Sequence, residues 1–214
     1  MNSIRTAAVA ALALALAGPA SVAVAEDPYT ETFDGVNLDF WEEVWSQDIS
    51  VLPEGGHPGA NLRVNYHEDP DHPNTWLRTT DARFIGDVAA RGTTAYSFDL
   101  KADQVMPINL AIYGIGTGWL YQVTEDAPAG VWKTFVVEFD PTWTSAQALD
   151  AGWVLLSGID PGFDAMMTDV SHVTLFGDWP IGYNLDNFAN TVPQPAGVFV
   201  LVLAGLGAAR RTRA

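Results

Sequence analysis

The sequence predicts an all-β protein, an antiparallel β-sandwich or jelly roll, and three observations support this fold class. Apolar and polar side chains alternate with a period of two in several short segments, as in strands with one buried face. Clusters of Gly, Pro, Asn and Asp separate these segments. A helical pattern is confined to residues 145–156. Many short strands with turn-rich connections and almost no helix favour two packed antiparallel sheets.

Each predicted strand carries apolar side chains at every second residue. In 93–100, for example, Tyr96, Phe98 and Leu100 share one face. The same spacing predicts further strands at 62–66, 106–115, 132–139 and 173–175. Turn-forming residues lie at 53–59, 69–74, 127–130 and 160–162. The single predicted helix, 145–156, has Thr144 or Ser145 as its N-cap.

The chain of 214 residues has ten basic and 26 acidic residues, a net charge of −16, and no cysteine. A nucleic-acid-binding protein needs basic residues to neutralise phosphate, so this balance excludes nucleic acid as a partner. Without cysteine, disulfides, thiolate metal sites and cysteine nucleophiles are excluded. Four arginines lie in the terminal segments, so the single domain, 26–191, has six basic residues and all 26 acids, a net charge of −20.

Residues 1–25 have the layout of a secretory signal peptide. Arg5 precedes an apolar run, and the small residues Ala23 and Ala25 come just before Glu26. We therefore expect export, with signal peptidase cleaving after Ala25. A permanent N-terminal membrane anchor is the alternative, but it needs a longer apolar run.

The C-terminal segment, 192–214, combines a proline motif, an apolar run and an arginine cluster. Val192-Pro193-Gln194-Pro195 is followed by 14 uncharged residues and then by Arg210, Arg211 and Arg213. Fourteen residues are fewer than the ~20 that a membrane-spanning helix needs. The arrangement resembles the PEP-CTERM sorting signal of Gram-negative bacteria, with Gln194 where that motif usually has Glu.

This resemblance implies that an exosortase-type membrane enzyme recognises the tail and removes it. The protein would be held transiently in the inner membrane by a C-terminal hydrophobic helix and then delivered to the cell surface. A plain tail anchor and a buried terminal helix are the alternatives, although the terminal arginines argue against burial.

The domain also resembles the laminin B (domain IV) module over about residues 31–190. The matching segments are, in chain order, Gly55-Gly56-His57-Pro58-Gly59, Trp76-Leu77, Phe84-Ile85-Gly86-Asp87, Tyr96-Ser97-Phe98-Asp99-Leu100, Trp132-Lys133-Thr134-Phe135 and Leu185-Asp186-Asn187-Phe188. The resemblance implies a β-sandwich of galactose-binding-like type. It also implies a role at the cell surface or in the extracellular matrix, without a known catalytic centre.

We therefore predict a non-enzymatic structural or adhesion module. The sequence contains no Gly-x-Ser-x-Gly elbow, no His-Glu-x-x-His motif and no phosphate-binding loop. A secreted glycan-active hydrolase stays open as a lesser alternative, because sequence alone does not locate a pair of catalytic carboxylates in space.

Carbohydrate binding is the main alternative function, since exposed aromatic rings stack on the apolar faces of sugars. The chain has eight tryptophans, and we expect most of them in the core. Trp119 and Trp179 lie in loop-like, Gly-rich contexts. These two are the predicted platform for an extracellular polysaccharide.

The resemblance further implies a place for a structural calcium ion, where the first and last strands of the sandwich meet. The residues that would lie there are Glu31, Asp34 and Asp186. Oxygen ligands of this kind suit calcium, although the chain has no EF-hand pattern. No other cofactor is expected.

Overall fold

The computed structural model describes residues 28–35, 38–44, 47–66, 75–177 and 181–192, and these form the predicted antiparallel β-sandwich. The strands are β1 Thr30–Glu31, β2 Trp41–Val44, β3 Gln47–Leu52, β4 Asn61–Tyr66, β5 Thr75–Thr79, β6 Ala95–Ala102, β7 Asn109–Gly114, β8 Thr117–Gln122, β9 Lys133–Glu138, β10 Trp153–Ser157, β11 Val170–Gly177 and β12 Tyr183–Thr191. The helices are α1 Val88–Arg91, α2 Ser145–Asp150 and α3 Phe163–Met166.

The strands form two six-stranded sheets. Sheet A has the order β3-β4-β12-β6-β9, with the short β1 pairing with β12, and sheet B has the order β10-β8-β7-β11-β5-β2. All of these strand pairs are antiparallel. The period-two apolar stripes predicted from the sequence are confirmed, because each of them faces the space between the sheets.

Aromatic rings fill the centre of the core around Phe188, which is 1% exposed. The centroid of its ring lies 4.8 Å from Phe84, 5.3 Å from Trp41, 5.8 Å from Tyr96 and 6.2 Å from Phe98. Phe188 belongs to sheet A and Trp41 to sheet B. This cluster therefore joins the inward faces of the two sheets.

The helix predicted at 145–156 is shorter than expected. Thr144 caps α2 through a capping box with Gln147, and the helix ends at Asp150. Gly152 then adopts a φ of +94°, which ends the helical path, and the chain continues as the strand β10. Burial of the Trp153 side chain at 1% exposure holds this strand on the core.

Two single-turn helices were not expected from the sequence. The first, α1, follows Asp87, whose side chain accepts a hydrogen bond from the backbone N–H of Ala90. Asp87 is thus the N-cap of this helix, and the preceding residues Phe84 and Ile85 lie outside the strands. The second, α3, packs the buried Phe163 and Met166 into the core.

The turn at 53–59 lies over the outward face of sheet A. The backbone N–H of His57 donates to Asp186 Oδ2 at 2.5 Å, and His57 Nδ1 lies 3.0 Å from Asp99 Oδ2. A side chain on Gly56 would place its Cβ 2.1 Å from a backbone carbonyl oxygen, so this close approach requires glycine. The Gly-rich turn thus has the structural role expected from the sequence.

The predicted terminal segments lie largely outside the described residues. This applies to the signal peptide with its cleavage residues Ala23, Ala25 and Glu26, and to the sorting tail from Pro193 to Arg213. Within the sorting motif, Val192 is described and is 6% exposed. Among the described residues, no helix has the length and apolar character needed to cross a membrane.

The aromatic cluster predicts the effect of truncation at its centre. Phe188→Ala removes a fully buried ring that contacts both sheets, and we expect it to lower the free energy of unfolding by about 3–5 kcal/mol. Denaturant unfolding measures this change. The matched control is Phe40→Ala, because Phe40 is 43% exposed and its loss should change the same quantity by less than about 0.5 kcal/mol. Equal effects of the two substitutions would contradict the assignment of Phe188 to the core.

Candidate functional site

The outward face of sheet B carries small residues across the middle of the sheet. Strand pairing places Arg78, Thr174, Ala111 and Leu120 side by side on neighbouring strands. The two central members are small and buried: Thr174 is 1% exposed and Ala111 is 0% exposed. Because these small side chains face outward but are buried, the larger side chains around them cover them.

Two cross-strand aromatic pairs stand on either side of this floor. Trp76 and Phe176 are directly opposite in the pairing of β5 with β11, and their ring centroids lie 4.7 Å apart with planes inclined by 21°. Tyr113 and His172 are opposite in the pairing of β7 with β11, at 4.4 Å and 12°.

The two aromatic pairs border the strip of small residues that runs across the strands. We call the surface between the pairs the groove; the buried Thr174 and Ala111 form its floor, and the pairs Trp76–Phe176 and Tyr113–His172 form its walls. Residues 172, 174 and 176 alternate along one strand, so the walls stand roughly 13 Å apart along β11. Trp76, Tyr113 and His172 are all partly exposed, so their rings can contact a ligand.

The charges at the groove are balanced. At its β2 end, Arg78 Nε donates to Glu42 Oε2 at 2.8 Å, and the two side chains form an ion pair. At the opposite end, Leu120 and the exposed Val154 provide apolar surface. The groove thus combines aromatic walls, one neutralised ion pair and an apolar end.

His172 is held in its neutral form at neutral pH. Burial lowers the pKa of the imidazole, and the nearby Arg78 guanidinium lowers it further, whereas Glu42 acts in the opposite direction. The Ser171 hydroxyl lies 3.0 Å from His172 Nδ1. A neutral imidazole has one donor and one acceptor nitrogen, a combination that suits hydroxyl groups. Burial also raises the pKa of Tyr113, so its phenol stays protonated.

The structure describes one of the two residues of the predicted platform, Trp119, and places it in the core. Trp119 is 1% exposed and its ring packs edge-on against Phe163, with the centroids 5.4 Å apart. The prediction that Trp119 is exposed is therefore wrong, because its strand directs the side chain into the core. Trp179 lies outside the described residues.

The six described tryptophans divide evenly between core and surface. Trp41 and Trp153 are buried with Trp119, whereas Trp76, Trp132 and Trp143 are partly exposed. The aromatic residues of the groove were missed by the sequence analysis. The alternation of Trp76 with Leu77 was the available signal, since it puts the two side chains on opposite faces of β5.

Two of the three predicted calcium ligands lie near each other: Asp34 and Asp186 both bind the turn at 56–60, and the charge of Asp34 helps to raise the pKa of Asp186, after the larger effect of burial. The carboxylate of Glu31 accepts hydrogen bonds from the Tyr29 hydroxyl and from the guanidinium of Arg83. Asp34 instead accepts from the backbone N–H of Ala60 at 2.9 Å, and Asp186 accepts from the turn at His57. Within the ranges that the structure describes, no group of three or more acidic or histidine side chains is arranged to hold a metal ion.

Comparisons with known proteins find solved structures with a similar fold. No family model matches the chain, and no curated protein sequence is detectably similar. Among solved structures, the family 11 carbohydrate-binding module from Clostridium thermocellum, in complex with a β-1,3-1,4-mixed-linked tetrasaccharide, matches with a TM-score of 0.55 and 14% identity. The match covers 77% of this chain and 95% of that module.

Two larger proteins contain a similar domain. An exo-β-agarase matches with a TM-score of 0.55 and 14% identity over 78% of this chain. The CBM22-1–GH10 modules of a Clostridium thermocellum xylanase, complexed with xylohexaose, match with a TM-score of 0.53 and 15% identity, also over 78% of this chain. This chain covers 25% and 28% of those two chains, respectively. At these identities the likeness establishes a shared β-sandwich fold.

The electrostatic environment of His172 gives a direct test of the groove. Arg78→Met should raise the pKa of the imidazole, because a repelling charge is lost and Glu42 loses its partner. Glu42→Gln should lower the pKa further. Two-dimensional NMR of the imidazole over a pH series measures both shifts. Lys133→Met, on the other sheet, is the control, and an unchanged His172 titration in both groove variants would show that these side chains do not interact.

Proposed function

We propose that the protein is a non-catalytic carbohydrate-binding module that holds a glycan chain in the groove. The observation that carries this proposal is the pair of aromatic walls on either side of the Thr174–Ala111 floor. Aromatic rings stack on the apolar faces of pyranose rings, and nearby polar groups then fix the hydroxyls. The same function is supported by the fold that the chain shares with a module in complex with a tetrasaccharide and with modules complexed with xylohexaose.

The charges favour a neutral glycan. The domain has a net charge of −20 and repels polyanions at long range. Inside the groove, the Arg78–Glu42 pair is already neutralised and His172 is uncharged, so no free cation is available to bind a uronic acid. A glycan with apolar ring faces and uncharged hydroxyls matches these groups.

The groove suits binding without turnover. Glu42 supplies a carboxylate to the groove, and it accepts a hydrogen bond from Arg78 Nε. Glycoside hydrolysis needs two carboxylates on opposite sides of the scissile bond, one of them protonated. Other domains of this fold occur within enzymes, so the test for binding includes a test for turnover.

The proposed cellular role is at the cell surface or in the extracellular matrix of a Gram-negative bacterium. The sequence signals for export and tail processing support this location. A structural or adhesion module must attach to its surroundings, and binding of extracellular polysaccharide would provide that attachment. Processing would involve signal peptidase and an exosortase-type enzyme, with the inner membrane as a transient site.

Substitution of the groove walls tests glycan binding. We expect Trp76→Ala and Tyr113→Ala each to weaken binding about tenfold or more, because each removes a stacking surface. Affinity electrophoresis against mixed-linkage β-glucan, xylan, agarose and the acidic polymer alginate measures retention. Trp132→Ala is the matched control, since Trp132 is a partly exposed tryptophan that directly precedes β9 of sheet A, away from the groove.

Three results would count against the proposal. Equal retention of the wild-type domain and both groove variants would exclude the groove as the site. Stronger retention by alginate than by the neutral glycans would contradict the charge argument. Release of reducing ends by the purified domain would show an enzyme instead of a binding module.

The terminal signals are tested in the producing cell. Mass spectrometry of the surface fraction should find a mature chain that starts at Glu26 and lacks residues 196–214. Peptides from 196–214 in that fraction would contradict tail processing. Substitution of Arg210, Arg211 and Arg213 by Ala should leave the tail attached, and the unchanged chain expressed alongside is the control.

A further inference from the structure

A cavity of about 370 Å³ lies at the β9 edge of sheet A. It forms where β9 ends and the chain turns toward α2, beside the last residue of β12. Its lining combines one indole ring, two carboxylates and two hydroxyls with apolar side chains. The residues that matter here are Trp143, Glu138, Asp140, Thr94 and Thr191. This cavity is separate from the groove, which lies on the other sheet.

Glu138 is placed outward by the alternation of β9. Phe135 and Val137 are 3% and 0% exposed and face the core, so Glu138 lies on the solvent side with the exposed Val136. The Glu138 carboxylate has no hydrogen bond or ion pair with any residue that the structure describes. Directly opposite in the sheet is the small Ala95, which leaves open space beside the carboxylate.

Asp140 contributes a second carboxylate. One of its oxygens, Oδ1, accepts hydrogen bonds from the backbone N–H and the hydroxyl of Thr142, at 2.8 and 2.7 Å. In the described part of the chain, Oδ2 has no protein donor. Since no basic side chain lines the cavity, its two carboxylates are not neutralised locally.

Trp143 is fixed at the rim. Its backbone N–H donates to the carbonyl oxygen of Asp140 at 3.0 Å, and its ring lies 6.2 Å from Phe163 at an inclination of 40°. The ring is partly exposed, so it is held in place by the core and still presents surface to the cavity. An indole face is the best of the aromatic partners for a cation.

We propose that this cavity binds one sugar unit that carries a protonated amine. An ammonium group would pair with the carboxylates of Glu138 and Asp140 and contact the indole ring of Trp143. The hydroxyls of Thr94 and Thr191, which also line the cavity, would bind the hydroxyl groups of the sugar ring. The volume is near the lower limit for small-molecule sites and fits a single ring better than a chain. Acidic sugars are excluded by repulsion, and the site does not depend on the proposed groove.

NMR titration of the protein with glucosamine, N-acetylglucosamine and glucose at slightly acidic pH tests the proposal. We expect glucosamine to shift the Trp143 indole signal and to bind about tenfold more tightly than the two neutral sugars. Added salt should weaken glucosamine binding, because the ligand is held partly by charge. Equal binding of all three sugars, or no shift at Trp143, would overturn the proposal.

Charge-removing variants identify the residues. Glu138→Gln keeps the shape of the side chain and should weaken glucosamine binding at least about fivefold. Glu54→Gln changes an exposed carboxylate outside the cavity and is the matched control; an equal loss in both would overturn the assignment to Glu138. Tyr113→Ala should weaken groove binding and leave the glucosamine response intact, so that failure at one site is distinguishable from failure at the other.

Discussion

The contact between Phe188 on sheet A and Trp41 on sheet B fixes how the two sheets face each other. Because these rings and their neighbours are buried, every second residue of each strand faces the core. The remaining residues are the ones available for ligands. In β11, Val173 and Leu175 are inside, so His172, Thr174 and Phe176 necessarily share the outer surface. The set of residues that forms the groove is therefore determined by core packing as well as by the chemistry of those residues.

Glycine residues leave the space that the ring of Tyr113 occupies in the groove wall. Ile115 and Gly116 have φ values of +48° and +70°, the backbone of a tight two-residue hairpin between β7 and β8. Gly118, directly opposite Tyr113, has no side chain, and a Cβ there would lie 2.5 Å from the tyrosine ring. The ring of Tyr113 can occupy that space and stack on His172. The glycines around Trp119 thus belong to a hairpin and its strands, which explains why a loop-like sequence contains a buried tryptophan.

Local pattern predicted the fold well and the site poorly, and the reason is physical. Alternation along a strand is a local property, so Tyr96, Phe98 and Leu100 could be assigned to the core from the sequence alone. The groove instead depends on pairings such as Trp76 with Phe176, which join residues far apart in the chain. Nothing in the local sequence around Trp76 specifies that partner. Gly-rich context was a poor guide to exposure because Gly114 and Gly118 lie within paired strands.

The distribution of charge relates the two proposed sites to the acidic character of the domain. A domain at −20 tolerates free carboxylates where they are solvated or bind cations, and Glu138 and Asp140 are such groups. At the groove, by contrast, Arg78 neutralises Glu42 and leaves a surface suited to uncharged rings. Because the two sites are on opposite sheets, one extended glycan chain does not reach both. Under the two proposals, the domain would therefore bind a neutral glycan and a single aminosugar unit at separate places, each with the charge that suits its ligand.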